Sequence, residues 1–143
     1  DGAAAVVVTS ESRAKEMGLE PMAVIRSYAT TALEPRMMGL APVRAIEESL
    51  NRACLNLSDI NLVEINEAFA AQVLAVGQEI GLNWSTTNVN GGAIALGHPI
   101  GASGTRILTT LLHEMKRRHN QYGLASLCIG GGQGIAMVVE QPY

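Results

Sequence analysis

Three short segments of the chain place a reactive side chain beside backbone that can bend sharply. The last is Leu127-Cys128-Ile129-Gly130-Gly131-Gly132-Gln133-Gly134, a thiol at the end of an apolar run followed by glycines. A cysteine so placed can be partly exposed and reactive, and the N–H groups of the turn can stabilise an oxyanion. A lone strand cysteine is also commonly a small core hydrophobe. The middle segment, Asn90-Gly91-Gly92-Ala93-Ile94-Ala95-Leu96-Gly97-His98-Pro99-Ile100-Gly101-Ala102-Ser103-Gly104, surrounds His98 with five glycines. Glycine allows close backbone approach, and Pro99 restricts His98 to extended geometry. The ring is therefore expected just before a helix N-terminus, as a hydrogen-bond donor or as a structural histidine in a tight loop. In the first segment, Glu64-Ile65-Asn66-Glu67-Ala68-Phe69-Ala70, a strand gives way to a helix at Asn66. An amide there can fix a water or a substrate oxygen, or simply cap the helix with Glu67 favoured by the dipole.

Other chemistries fit these residues badly. A phosphate loop needs Gly-Lys-Ser/Thr, which the sequence lacks. A dinucleotide fingerprint runs from glycines into a helix, whereas Gly130–Gly134 lead into an apolar strand pattern. Cys128, His98 and Cys54 show no paired ligand spacing, so no metal site is expected.

The elements that must position these segments follow from periodicity and punctuation. Residues 3–9 form a β-branched run that reads as a strand, and 11–17 as a short helix between Ser10 and Gly18. Residues 22–29 read as a strand after Pro21. Pro42 suits a first helical turn, and Val43, Ile46, Leu50 and Cys54 recur at helical spacing. Residues 62–65 form a short strand. A helix is expected from Asn66, with Phe69, Val73, Val76 and Ile80 on one side and Gly81 as its stop. Residues 87–100 are turn-like, and a helix runs from about Gly101 to Arg118. Strands at 124–129 and 135–140 close the chain as an antiparallel hairpin. The expected fold is α/β: a layered domain with a mixed, five-stranded sheet covered by helices.

The 143 residues suffice for one compact core, with 48% hydrophobic and 16% charged residues. A net charge of −3 gives no footprint for nucleic acid. Lys116-Arg117-Arg118 is instead the cationic last turn of a helix. No apolar run reaches membrane-spanning length. Two widely spaced cysteines suggest a reducing interior, the cytoplasm, with mitochondrial or peroxisomal placement also open. The start at Asp1, straight into an apolar run, suggests a piece of something longer.

Taken in order, Asn66-Glu67-Ala68-Phe69-Ala70, Gly91-Gly92-Ala93-Ile94-Ala95-Leu96-Gly97-His98-Pro99 and Cys128-Ile129-Gly130-Gly131-Gly132-Gln133-Gly134 resemble the active-site motifs of the thiolase C-terminal half. Met38-Gly39 and Pro42 resemble the family's Met-Gly-x-Gly-Pro loop, with Ala41 in place of its second glycine. Asp1–Val6 resembles the last strand of the family's N-terminal domain. The resemblance implies that residues 1–21 are the tail of that domain and 22–143 the C-terminal domain.

It also implies a reaction: making or breaking a carbon–carbon bond between coenzyme A thioesters, which are substrates, with no resident cofactor. Cys128 matches the family's general acid/base. His98 matches the direct donor to the enolate oxygen, Asn66 the residue that holds a donating water, and Gly130 an N–H of the second oxyanion hole. Phe69 and Met38 would contact substrate. The family's acyl-accepting cysteine lies upstream of this chain, and Cys54 does not replace it. Implied partners are acyl-CoA, an N-terminal thiolase domain and further copies in a homo-oligomer. The rival expectation is a non-catalytic module that binds acyl-CoA or serves assembly.

Overall fold

The apolar runs pair into one mixed sheet in a computed structural model that describes residues 1–142. The helices are α1 (Glu11–Glu16), α2 (Ala41–Ala53), α3 (Ala70–Ile80), α4 (Ala93–Leu96) and α5 (Ser103–Arg118). The strands are β1 (Val24–Ala32), β2 (Leu62–Ile65), β3 (Tyr122–Ile129) and β4 (Gln133–Glu140). Short 3-10 turns at Pro35–Leu40 and Leu57–Asp59 precede α2 and β2. The strand order is β1-β4-β3-β2. β4 is antiparallel to both β1 and β3, and β2 is parallel to β3. The closing hairpin and the mixed sheet are thus as the sequence suggests.

The sheet has four strands, not five, because residues 3–9 form none. Val7 and Val8 are 91% and 73% exposed. A β-branched run becomes a strand only where it has a partner and a surface to pack on, and here it has neither.

Two layers of helices enclose the sheet. On one face Ile46 and Leu50 of α2 and Val73 and Val76 of α3 meet Val63, Ile65, Leu124 and Val138. On the other, Ile107, Leu111 and Met115 of α5 meet Leu62, Ala125 and Val139. Gly123 is why α5 can lie so close: a β-carbon there would collide with Met115 and Leu111. Pro42 lies in the first turn of α2, and Gly81 ends α3 in left-handed geometry at φ 72°. Cys54 departs from its expected helix face. It ends α2 with φ 56° and is exposed, since a left-handed residue turns out of the helical register. The basic last turn of α5 is present, with Arg117 and Arg118 paired to Glu114. Among the described residues no helix is long and apolar enough to cross a membrane.

Candidate active site

β2 does not stop where its strand assignment ends. The N–H of Asn66 donates to the Ser126 carbonyl at 3.0 Å, carrying the parallel ladder one residue further. The chain then stays extended through Phe69, and α3 begins at Ala70 rather than at Asn66. Asn66 is therefore not a helix cap, and its amide is free for another task. It is completely buried, and its Nδ2 lies 3.4 Å from Nε2 of His98. Phe69, expected on one side of this helix with Val73, Val76 and Ile80, instead precedes it and is 67% exposed.

A polar latch explains the delay. Asn88, at φ 48°, accepts from Ile65 N–H at 2.8 Å and donates to the Ile65 carbonyl at 2.9 Å, acting as a side-chain substitute for a neighbouring strand. Its Nδ2 also donates to Glu67 at 2.9 Å. The other oxygen of Glu67 accepts from Ile94 N–H at 3.1 Å, in the short helix α4. Gly92 is required beside this latch, because a β-carbon there would overlap the Glu67 carboxylate. The loop before His98 is thus tied to the loop after β2, which brings His98 to Asn66.

His98 does not stand directly at a helix N-terminus as expected, since α5 starts at Ser103. The helix reaches it through a side chain: Ser103 Oγ lies 2.5 Å from His98 Nδ1 and 3.1 Å from the Pro99 carbonyl. Cys128 is near the end of β3, in register with Gly134 and half-buried. Burial pushes its thiol pKa up. It is linked to Asn66 by the ladder, being two residues past Ser126, rather than by a side-chain bond.

Gly130 opens the turn between β3 and β4. At Gly132, φ is 89°, its carbonyl accepts from Leu33 N–H at 2.8 Å, and a β-carbon would strike the Leu33 carbonyl. The turn is thereby fixed against the segment leading to Met38. Gln72 on α3 donates to the Gly39 carbonyl at 3.1 Å, so Met38 and Phe69 occupy one tied-together rim.

The sequence reading missed several residues: Ser103, the Asn88–Glu67 latch, and a buried pair on the α5 side. Glu64 is 2% exposed inside β2, with Oε2 3.8 Å from Nη1 of Arg106. Its carboxyl pKa is pushed up to about 7, chiefly by burial, with Arg106 opposing and Glu67 and Glu114 adding to the rise. The available signal was a charged residue inside a short strand that is otherwise wholly apolar. Among the described residues, Glu64 Oε2, Asn66 Oδ1, Gln72 Oε1 and the three Arg106 nitrogens are buried without a hydrogen-bond partner. A surface depression of about 540 Å³, bordered by Leu55, Asp59 and Asn61, opens at the other end of β2 and β3 from Cys128.

Residues 19–141 match the profile of the family described as thiolase, C-terminal domain. The chain belongs to the thiolase family. It is 62% identical over 141 residues to an acetyl-CoA acetyltransferase of Cupriavidus necator, covering 99% of this chain and 36% of that protein. An Escherichia coli acetyl-CoA acetyltransferase is 60% identical over the same shares. Among solved structures, human mitochondrial 3-ketoacyl-CoA thiolase superposes with a TM-score of 0.92 at 50% identity, over 94% of this chain and 34% of that one. The Bacillus anthracis acetyl-CoA acetyltransferase gives a TM-score of 0.91 at 49% identity, over 93% and 34% of the two chains. This thiolase domain therefore spans about a third of the length of the relatives it matches.

Proposed function

We propose that this chain supplies the proton-transfer and enolate-binding side of a thiolase active site. The reaction is reversible Claisen condensation of acetyl-CoA with an acyl-CoA, or thiolysis of a 3-ketoacyl-CoA in reverse. The observation that carries this reading is the contact of buried Asn66 with His98, one strand away from Cys128. In condensation, the Cys128 thiolate takes a proton from the methyl carbon of acetyl-CoA. Negative charge moves to the thioester oxygen, where His98 donates directly and Asn66 holds a donating water. The carbon then attacks an acyl thioester carried on a cysteine outside this chain, and that cysteine leaves as thiolate. The Gly130 N–H would stabilise the charge on the acyl carbonyl. Each donor of this kind contributes on the order of 3 kcal/mol to the barrier. A thiol whose pKa is raised by burial makes the stronger base once ionised.

The similar proteins named acetyl-CoA acetyltransferases favour an acetyl group, and a human relative has been solved with CoA. Coenzyme A thioesters are then substrates, and the chemistry asks for no resident cofactor. Residues 1–21 belong to a preceding domain on this reading. Phe69 just before α3, Leu74 on it, and Ile94, Leu96 and Ile100 around the His98 loop are exposed apolar side chains. Substrate, the upstream domain or a second subunit would cover them, Phe69 and Met38 being the substrate contacts. Two free cysteines suit a reducing compartment such as the cytoplasm. By itself the chain should be inactive. Cys54 cannot carry the acyl group, since it adjoins Leu55 at the far end of the sheet.

The test is acetoacetyl-CoA thiolysis and acetyl-CoA condensation by the chain alone and joined to an upstream thiolase region. The expected result is turnover only in the joined protein. There, C128A should lower condensation by about a hundredfold or more while the upstream cysteine is still acylated, as read by mass. Acylation lost with condensation kept would overturn the role of Cys128. CoA binding with no turnover in the joined protein would favour a non-catalytic module.

A further inference from the structure

Ser103 stands where it can decide which nitrogen of His98 carries the proton. It is 1% exposed, and its Oγ is 2.5 Å from His98 Nδ1 and 3.1 Å from the Pro99 carbonyl. A hydroxyl has one hydrogen to give. Given to the Pro99 carbonyl, it forces Nδ1 to be the donor and leaves a neutral ring with only a lone pair on Nε2. Given to Nδ1, it leaves the proton on Nε2.

The other partners of the Pro99 carbonyl select the second arrangement. The Pro99 carbonyl already accepts from Ala102 N–H at 2.7 Å and Ser103 N–H at 2.9 Å, which uses both its lone pairs. On the other side of the ring, Asn66 Nδ2 lies 3.4 Å from Nε2, and a half-turn of that amide, which exchanges its oxygen and nitrogen, matches it to a proton on Nε2.

We infer that Ser103 is a positioning residue: its hydroxyl donates to His98 Nδ1 and fixes the Nε2–H form, with the Asn66 oxygen turned toward Nε2. This deepens the proposed function and rests on it, because a donating Nε2–H is what an enolate oxygen requires. On substrate binding, the enolate oxygen accepts from the Nε2 proton in place of the Asn66 oxygen.

The test is long-range proton–nitrogen correlation on the chain with ¹⁵N-labelled histidine, at a pH where the ring is neutral, with H98N assigning the signals. The expected result is Nδ1 at the unprotonated shift and Nε2 at the protonated one, with a Ser103 hydroxyl proton correlated to Nδ1. In S103A both nitrogens should move to intermediate shifts as the two forms exchange. A proton on Nδ1 in the unsubstituted chain, or unchanged shifts in S103A, would overturn the assignment. Turnover is read separately in the joined protein, where S103A should lower kcat and kcat/KM by the same factor. The expected shifts in a joined protein without thiolysis would sink the proposed function and leave the Ser103 assignment standing.

Discussion

On the α2 side of the sheet, buried polar groups are bonded to backbone. Ser27 Oγ donates to the Ser49 carbonyl at 2.6 Å, Ser49 Oγ to the Ile46 carbonyl at 2.9 Å, and Ser126 Oγ to the Ile135 carbonyl at 2.8 Å. On the α5 side, Glu64, Asn66 and Arg106 all keep buried atoms without partners. Gln72, the exception from α3, lies in that helix's first turn beside the candidate site. Unpaired buried groups are costly, so a fold built for stability alone would remove them. Their grouping coincides with the candidate site, where a domain that carries out the proposed reaction would give up stability for chemistry. The α2 and α3 face is what holds the sheet together.

The sharpest way to break this contrast is to damage each face and read stability and turnover separately. I46A on the dry face should cost about 2–5 kcal/mol in urea unfolding, with turnover per folded molecule in the joined protein unchanged. N66A should do the reverse. Turnover should fall about a hundredfold or more, some 3–4 kcal/mol in barrier, with a smaller stability loss than I46A because the unpaired Oδ1 goes too. If N66A proved as destabilising as I46A and left turnover intact, the α5 side would be ordinary core.

A smaller effect should appear with pH. The Glu64 carboxyl pKa stands at about 7 in the folded protein against 4.5 as its ordinary value. Between those values the folded state keeps a proton that the unfolded chain has lost, so stability falls as pH rises through that window. The slope is at most about 1.4 kcal/mol per pH unit, and E64Q should reduce it. Equal slopes for the two proteins, from unfolding at about pH 5 and about pH 7, would show that Glu64 is ionised throughout. The mildest change is S27A, expected to cost about 1 kcal/mol and to leave catalysis alone. A loss of turnover there would join the two faces functionally.

Much of this was legible without coordinates where the signal was local. The stop of α3 at Gly81, the basic end of α5 and the β3–β4 hairpin all follow from residue types within a few positions. So do the three motifs as short runs of residue types, although the neighbour that Gly132 must avoid, the Leu33 carbonyl, is distant in sequence. The failures were of another kind. Residues 3–9 have the composition of a strand, but pairing requires a neighbour that local composition does not record. The helix expected at Asn66 begins at Ala70, and Asn88, far along the chain, holds the intervening residues extended.

The sequence by itself determined which chemical groups the domain carries, in what order, and the family to which that order belongs. Only the tertiary structure decided which of them meet. Asn66 and His98 are separated by 32 residues and come within 3.4 Å. The Glu67 latch and the Ser103 hydroxyl hold them there, while parallel register sets Cys128 on the next strand. Propensity and periodicity act over a few residues, whereas such contacts depend on register and packing across the whole sheet.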